Sequence, residues 1–177
     1  MRGEGTIERM FVLGIDPGLT RCGFGVVQRA GGTPHFEVLT AGLLETSVEQ
    51  PMEQRLATLH GDIAALLDDT KPDVVAIERI FSQANVKSVV SVAQVSGFVL
   101  ALATMRKIPI AQYSPNEVKL NVAGSGSADK RDVQDMVARL CGLDIAPSPP
   151  DVADAIAVAI CHLSASPLLS AVHAGEA

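Results

Sequence analysis

Two apolar runs in this sequence end in an acid. Asp16 lies near the end of FVLGIDPG (residues 11–18), and Glu78 ends DVVAIE (residues 73–78). An ionised carboxylate is costly to bury unless hydrogen bonds, an opposite charge or a metal compensates. Because both runs have the composition of buried strands, these acids need a chemical explanation. We take Asp16 as the centre of a candidate site.

A second pair of acids, Asp151 and Asp154, lies at the beginning of a predicted apolar helix. Their i, i+3 spacing places both side chains on one face of that helix. Asp151 follows Pro150, so it can also be a simple N-terminal charge that satisfies free N–H groups and the helix dipole. Capping explains Asp154 less well, because AIAVAI follows it and makes its surroundings apolar.

Four carboxylates gathered in one place would repel one another, so their convergence calls for a divalent metal. Mg²⁺ takes oxygen ligands, binds through a few carboxylates and completes its shell with water and substrate phosphate. Two such ions about 4 Å apart can activate water and stabilise a leaving oxygen. The acids are visible in the sequence, while their convergence is an inference.

Basic residues near these acids could contact a phosphate backbone. The candidates are Arg79, Lys87, Lys119, Lys130 and Arg131. They would supply local positive charge, although the formal net charge of -6 argues against a protein that coats nucleic acid through bulk positive charge. A simple solvated surface charge is an equally good interpretation for Lys87 and Arg131. It is a weaker one for Lys130, which lies beside a Gly-rich loop.

Phe81 differs from the other phenylalanines because it lies between Glu78-Arg79-Ile80 and the polar stretch SQAN. If it is exposed, it could stack on bases or wedge between them at an opened step. A lone phenylalanine is more often part of the core, so both interpretations stay open.

Apolar runs joined by short Gly/Pro links predict an antiparallel meander, followed by a helical crossover into the strand that ends at Glu78. A strand, helix, parallel strand connection brings Asp16 and Glu78 to the same edge of the sheet. The predicted strands are 10–16, 23–29, 35–44, 73–78 and 108–113, and helices follow from Pro51 to about 68–72, over 85–105, from Ser114, around 133–140 and from Asp151 to about Leu163.

These elements predict one α/β domain over residues 10–164, with a mixed five-stranded sheet flanked by helices, a flexible extension over 1–9 and a flexible tail over 165–177. The helix Asn85–Met105 is apolar on two faces. Its own sheet would cover one face, and either a partner subunit or the same chain would cover the other. Without an export signal, a membrane span or paired cysteines, we expect a cytoplasmic protein with free thiols.

Five motifs in this order closely resemble the RuvC family of bacterial Holliday junction resolvases: GIDPGLTRCGFGVV, AIERIFSQAN, YSPNEVK, GSGSADK and DVADAIAVAICH. The resemblance extends from about Val12 to His162 and implies a ribonuclease-H-like fold. It also implies a metal-dependent endonuclease that nicks two opposing strands of a four-way junction during DNA recombination and repair.

The resemblance assigns roles to individual residues. It implies that two Mg²⁺ ions, with Mn²⁺ as a substitute, are held by Asp16, Glu78, Asp151 and Asp154. It further implies that Lys119 and Lys130 serve catalysis and DNA backbone contact, and that Phe81 acts on bases at the junction centre. The implied partners are a second copy, bound through the helix Asn85–Met105, and a branch-migration complex of the RuvA and RuvB type.

Two other functions are compatible with parts of the sequence. An actin-like phosphotransferase can also begin with a GIDxG phosphate turn, but it would need a second nucleotide-binding lobe and a longer chain. A non-catalytic junction-binding scaffold would bind DNA without cleaving it and would not depend on the four acids.

Overall fold

The computed structural model describes the backbone of residues 10–30, 35–79 and 86–174, and the side chains of 10–30, 35–79 and 89–165. The strands are β1 (Val12–Asp16), β2 (Arg21–Arg29), β3 (Phe36–Glu45), β4 (Val74–Glu78) and β5 (Ile110–Tyr113). The helices are α1 (Met52–Thr70), α2 (Val86–Met105), α3 (Pro115–Ala123), α4 (Lys130–Cys141) and α5 (Pro150–Ala174).

The strands form one mixed sheet in the order β3-β2-β1-β4-β5. β1, β2 and β3 pair antiparallel, whereas β4 is parallel to both β1 and β5. The predicted meander, the α1 crossover and the mixed five-stranded sheet are therefore confirmed. This topology puts the carboxyl ends of β1 and β4 side by side.

The two faces of the sheet carry separate cores. On one face, side chains such as Leu13 and Val75 pack with α1 and with the buried stripe of α2 that contains Val95 and Val99. On the other, Val12 and Ala76 pack with α5, and α3 and α4 lie against that helix. Because side chains alternate between faces along a strand, β1 and β4 each contribute side chains to both cores.

Local sequence signals explain two of the helix starts. Ser114 caps α3: its hydroxyl accepts a hydrogen bond from the Glu117 N–H, and the Glu117 carboxylate accepts one from the Ser114 N–H. Asp129 and Asp132 form the same reciprocal pair at α4. Each pair satisfies two backbone donors that would otherwise lack partners. The helix predicted from Ser114 is confirmed.

Three glycines let the backbone of α5 lie directly on the sheet. A Cβ atom on Gly14 would be 2.0 Å from the Ala155 carbonyl oxygen, and one on Gly23 would be 2.0 Å from that of Asp151. A Cβ atom on Gly25 would be 2.6 Å from the Ile156 side chain. Side chains larger than hydrogen would therefore push α5 away from β1 and β2.

Some predicted boundaries are wrong. α5 continues to Ala174, well beyond the expected end near Leu163, and β2 begins at Arg21 rather than Gly23. The expected flexibility of the tail stays a prediction, and the expected extension over residues 1–9 lies outside the described residues. In the part of the chain that the structure describes, no helix is long and apolar enough to cross a membrane.

We expect Gly14→Ala to lower the free energy of unfolding by about 1–3 kcal/mol, because its methyl group would overlap the α5 backbone. Gly61→Ala is the matched control, since a Cβ atom there meets nothing within 4 Å and alanine favours the α1 helix. Urea unfolding of both variants tests this. Equal stability of Gly14→Ala and wild type would contradict the close contact.

Candidate active site

The register of β1 and β4 places Asp16 beside Glu78. The parallel ladder pairs Ile15 with Ile77, and the two acids are the next residues on each strand. Alternate positions on these strands, Val12 and Ala76 among them, face α5. By the strand period of two, both carboxylates lie on the α5 side of the sheet edge.

The first turn of α5 brings the other two acids to the same edge. Gly23 pairs with Asp16 in the β1–β2 ladder, and the backbone of Asp151 lies directly over Gly23. Asp154 follows one turn later. Asp16, Glu78 and the two acids of α5 therefore lie at the same edge of the sheet, and this arrangement depends on the close contact between α5 and the sheet.

A cleft opens beside these acids. Its polar lining comprises Asp16, Glu78, Asp154, Lys119 and Lys130, and its apolar wall comes from α3, α4 and α5. The structure therefore brings two of the predicted basic residues together with three of the acids. Asp151 lies at the β2 side of this group.

Burial and mutual repulsion perturb the acids. Burial, followed by the charges of Asp154, Glu78 and Asp151, raises the pKa of Asp16 to about 7, while Lys130 opposes the rise. Burial and the charge of Asp154 also raise the pKa of Glu78, against the effects of Lys130 and Lys119. The site thus contains more negative charge than its own cations balance.

Two cations hold the acids of α5. Lys130 Nζ lies 2.9 Å from Asp154 Oδ2, and this hydrogen bond raises the pKa of Lys130. Arg21 Nη2 lies 2.9 Å from Asp151 Oδ2. The sequence pattern did not point to Arg21, because the predicted start of β2 at Gly23 left it in a turn. Had β2 been predicted to begin at Arg21, this residue would have been placed on the strand next to Asp16, and that position would have pointed to it.

The donor set suits Mg²⁺, since carboxylate oxygens are its preferred protein ligands. A divalent charge would also offset the burial and the mutual repulsion that raise the pKa of Asp16. As the side chains stand, no three His, Cys, Asp or Glu residues among those described are close enough to hold an ion. Asp151 and Asp154 are bonded instead to Arg21 and Lys130. The four acids are chemically suited to Mg²⁺. To bind it, Asp151 and Asp154 would have to exchange their ion pairs with Arg21 and Lys130 for the metal.

The remaining predicted DNA contacts are less defined. Arg79 is exposed after Glu78, and its guanidinium donates to the Gln112 carbonyl at 3.4 Å. Arg131 is exposed on α4. The side chain of Lys87 lies outside the described residues, as does Phe81. Their DNA-binding roles stay predictions.

Comparison with known proteins identifies relatives over nearly the whole chain. Residues 12–162 match the family model described as crossover junction endodeoxyribonuclease RuvC. A protein of that name from Leifsonia xyli subsp. xyli is 52% identical over 151 residues, which cover 85% of this chain and 72% of the relative. The namesake from Frankia alni is 47% identical, with 93% of this chain and 83% of the relative covered.

Solved structures agree. Thermus thermophilus RuvC in complex with Holliday junction substrate has a TM-score of 0.84 and 34% identity, with 91% of this chain and 97% of that chain covered. The expected ribonuclease-H-like fold is confirmed by this likeness to RuvC. The yeast mitochondrial Holliday junction resolvase, with a TM-score of 0.63 and 16% identity, shares the fold. On the family match and the identity to these relatives, the chain belongs to the RuvC family of crossover junction endodeoxyribonucleases.

Proposed function

We propose that this protein is a metal-dependent endonuclease that resolves Holliday junctions by hydrolysing phosphodiesters in two opposing strands. The observation that supports this most strongly is the meeting of Asp16, Glu78 and the α5 acids at one sheet edge, beside a cleft that also contains Lys119 and Lys130. Four acids with two lysines suit a phosphodiester, because metal and ammonium groups together can bind its anionic oxygens.

Asp16, Glu78, Asp151 and Asp154 would hold two Mg²⁺ ions, or Mn²⁺ in their place. When bound, the metal supplies Lewis acidity and a nucleophilic water at neutral pH. Asp16 would be the central ligand, because the charges of the other three acids all act on it. Asp16 ends β1, a strand paired on both sides, so the sheet holds its backbone in place before DNA arrives.

Lys130 and Lys119 would contact the DNA backbone at the cleft. The Lys130 side chain is 74% exposed although it is paired with Asp154. Asp154 is only 19% exposed, so the ammonium can exchange this carboxylate for a phosphate oxygen once a metal cation neutralises Asp154 in its place. Arg79, Lys87 and Arg131 would add outer backbone contacts, and Phe81 would act on bases at the junction centre.

We propose a homodimer formed through α2. One stripe of this helix, containing Val95 and Val99, is buried against the sheet, while Val90 on another face is 49% exposed. A Cβ atom on Gly97 would meet nothing within 4 Å. A second copy would cover this apolar face and provide the second site that paired nicking needs. In the cytoplasm, a branch-migration complex of the RuvA and RuvB type would deliver the junction.

We expect Asp16→Asn, Glu78→Gln and Asp154→Asn each to reduce cleavage of a synthetic four-way junction at least about 100-fold in Mg²⁺, because each removes a metal ligand. Junction binding should survive in a gel-shift assay. Asp62→Asn, an exposed acid on α1, is the control and should cleave like wild type. Mg²⁺-dependent cleavage at the wild-type rate by Asp16→Asn would refute the assignment.

The raised pKa of Asp16 predicts a pH effect on the metal-free protein. The folded state retains this proton up to about pH 7, whereas an unfolded aspartate loses it near pH 4. The contribution of the Asp16 proton to the free energy of unfolding is therefore fully present below about pH 4, and it is lost as the pH rises through about 7. The change is on the order of 4 kcal/mol at most.

Urea unfolding in EDTA at pH 5 and pH 8 measures this effect. We expect wild type to lose stability across that range relative to Asp16→Asn, which cannot ionise. The control Asp62→Asn should follow wild type. Parallel pH dependence of wild type and Asp16→Asn would show that the carboxyl is already ionised at pH 5.

We expect Val90→Asp to weaken self-association at least about tenfold, because it buries a charge in the proposed dimer interface. Val48→Asp is the control, since Val48 is 67% exposed in the segment between β3 and α1. Sedimentation equilibrium measures both. A dimer of unchanged affinity in Val90→Asp would exclude this face of α2.

A further inference from the structure

The side chain of Arg21 bridges β2 and the first turn of α5. Its Nη2 atom lies 2.9 Å from Asp151 Oδ2. Arg21 is directly opposite Glu45 in the β2–β3 ladder, yet within the described residues its ion pair is with Asp151 and not with that neighbour. The guanidinium is therefore directed towards the acidic site.

The turn that precedes Arg21 is held in place by a separate set of bonds. The Thr46 hydroxyl donates to the Leu19 carbonyl, and the Thr46 N–H donates to the Thr20 carbonyl at 3.1 Å. The Arg55 guanidinium donates to both threonine hydroxyls, at 3.0 Å and 2.6 Å. With its backbone fixed on both sides, Arg21 presents its charge at a defined place beside Asp151.

We propose that Arg21 is a positioning residue that neutralises Asp151 in the metal-free protein and competes with divalent metal for that carboxylate. The inference rests on the proposed function, in which Asp151 is a metal ligand. The oxygen that Arg21 contacts must give up this ion pair, or share it, when it binds a cation.

The exposure of the pair makes this exchange feasible. The Arg21 side chain is 43% exposed and that of Asp151 is 30% exposed, so water can solvate both groups when they separate. Partly exposed pairs are weak, so the loss of this one changes metal affinity a few-fold at most. Arg21 thus sets how tightly the site takes metal without touching the reacting atoms.

The test measures Ca²⁺ binding to the full chain by isothermal titration calorimetry at pH 8. We expect Arg21→Gln to bind Ca²⁺ about two- to fivefold more tightly than wild type. Arg21→Lys keeps the charge, and the single contact suits an ammonium, so its affinity should be near wild type. Unchanged or weaker Ca²⁺ binding by Arg21→Gln would overturn the proposal.

Arg29→Gln is the matched structural control. Arg29 lies at the other end of β2 and also bonds α5, through Nη2 to the Leu163 carbonyl at 2.7 Å. Its loss should lower the melting temperature equally with and without Ca²⁺ and leave Ca²⁺ affinity unchanged. Arg21→Gln should instead lower the melting temperature in EDTA more than in saturating Ca²⁺. Equal losses would make Arg21 a structural link only.

Asp151→Asn separates this proposal from the proposed function. If Asp151 is a ligand, Asp151→Asn weakens Ca²⁺ binding, and adding Arg21→Gln to it has little further effect because the two residues act together. Wild-type Ca²⁺ affinity in Asp151→Asn would defeat the ligand assignment itself. Weakened binding there, with no effect of Arg21→Gln alone, would defeat only the role of Arg21.

Discussion

The close contact between α5 and the sheet is the constraint on which the site depends. Gly14 and Gly23 have no side chains, so the α5 backbone can approach β1 and β2 more closely than any Cβ atom permits. That approach carries Asp151 and Asp154 to the edge where Asp16 and Glu78 already lie. A methyl group on either glycine would push α5 away from the sheet and so separate Asp151 and Asp154 from Asp16 and Glu78. The strand or helix that carries each acid would still form.

The same contact creates an electrostatic problem that the chain solves only in part. Burial, together with the charges of the other three acids, raises the pKa of Asp16 to about 7, even with Lys130 nearby. The two ion pairs of the site join α5 to cations on β2 and α4, where the side chains remain partly exposed. Such pairs hold the carboxylates apart at low energetic cost and leave them available for exchange. A divalent cation would complete the neutralisation that they begin.

The sheet and the crossover could be predicted from the sequence because each follows from a local signal, whereas the ligand role of the four acids stays a prediction. Strand ends, helix spacing and the Ser114 cap lie within a few residues of the features they specify. The ion pair between Arg21 and Asp151 was missed for two reasons: β2 was predicted to begin two residues too late, and the two partners lie 130 positions apart in the chain. The sequence shows where the glycines are, but not that they allow close packing, because this depends on the position of α5 on the sheet. The end of α5 was misplaced because its alanine-rich continuation has little amphipathic pattern.

An acidic chain that cuts DNA must concentrate its positive charge where the phosphate enters. With a formal net charge of -6, long-range attraction for DNA is weak, and the cleft itself contains three acids. Lys119 and Lys130 lie in that cleft, so their charge acts at short range, where screening by salt is least effective. In the metal-free site Lys130 is engaged with Asp154 and so is not free for a phosphate. Metal binding to Asp154 would release that ammonium, which couples filling of the acidic site to capture of the DNA backbone.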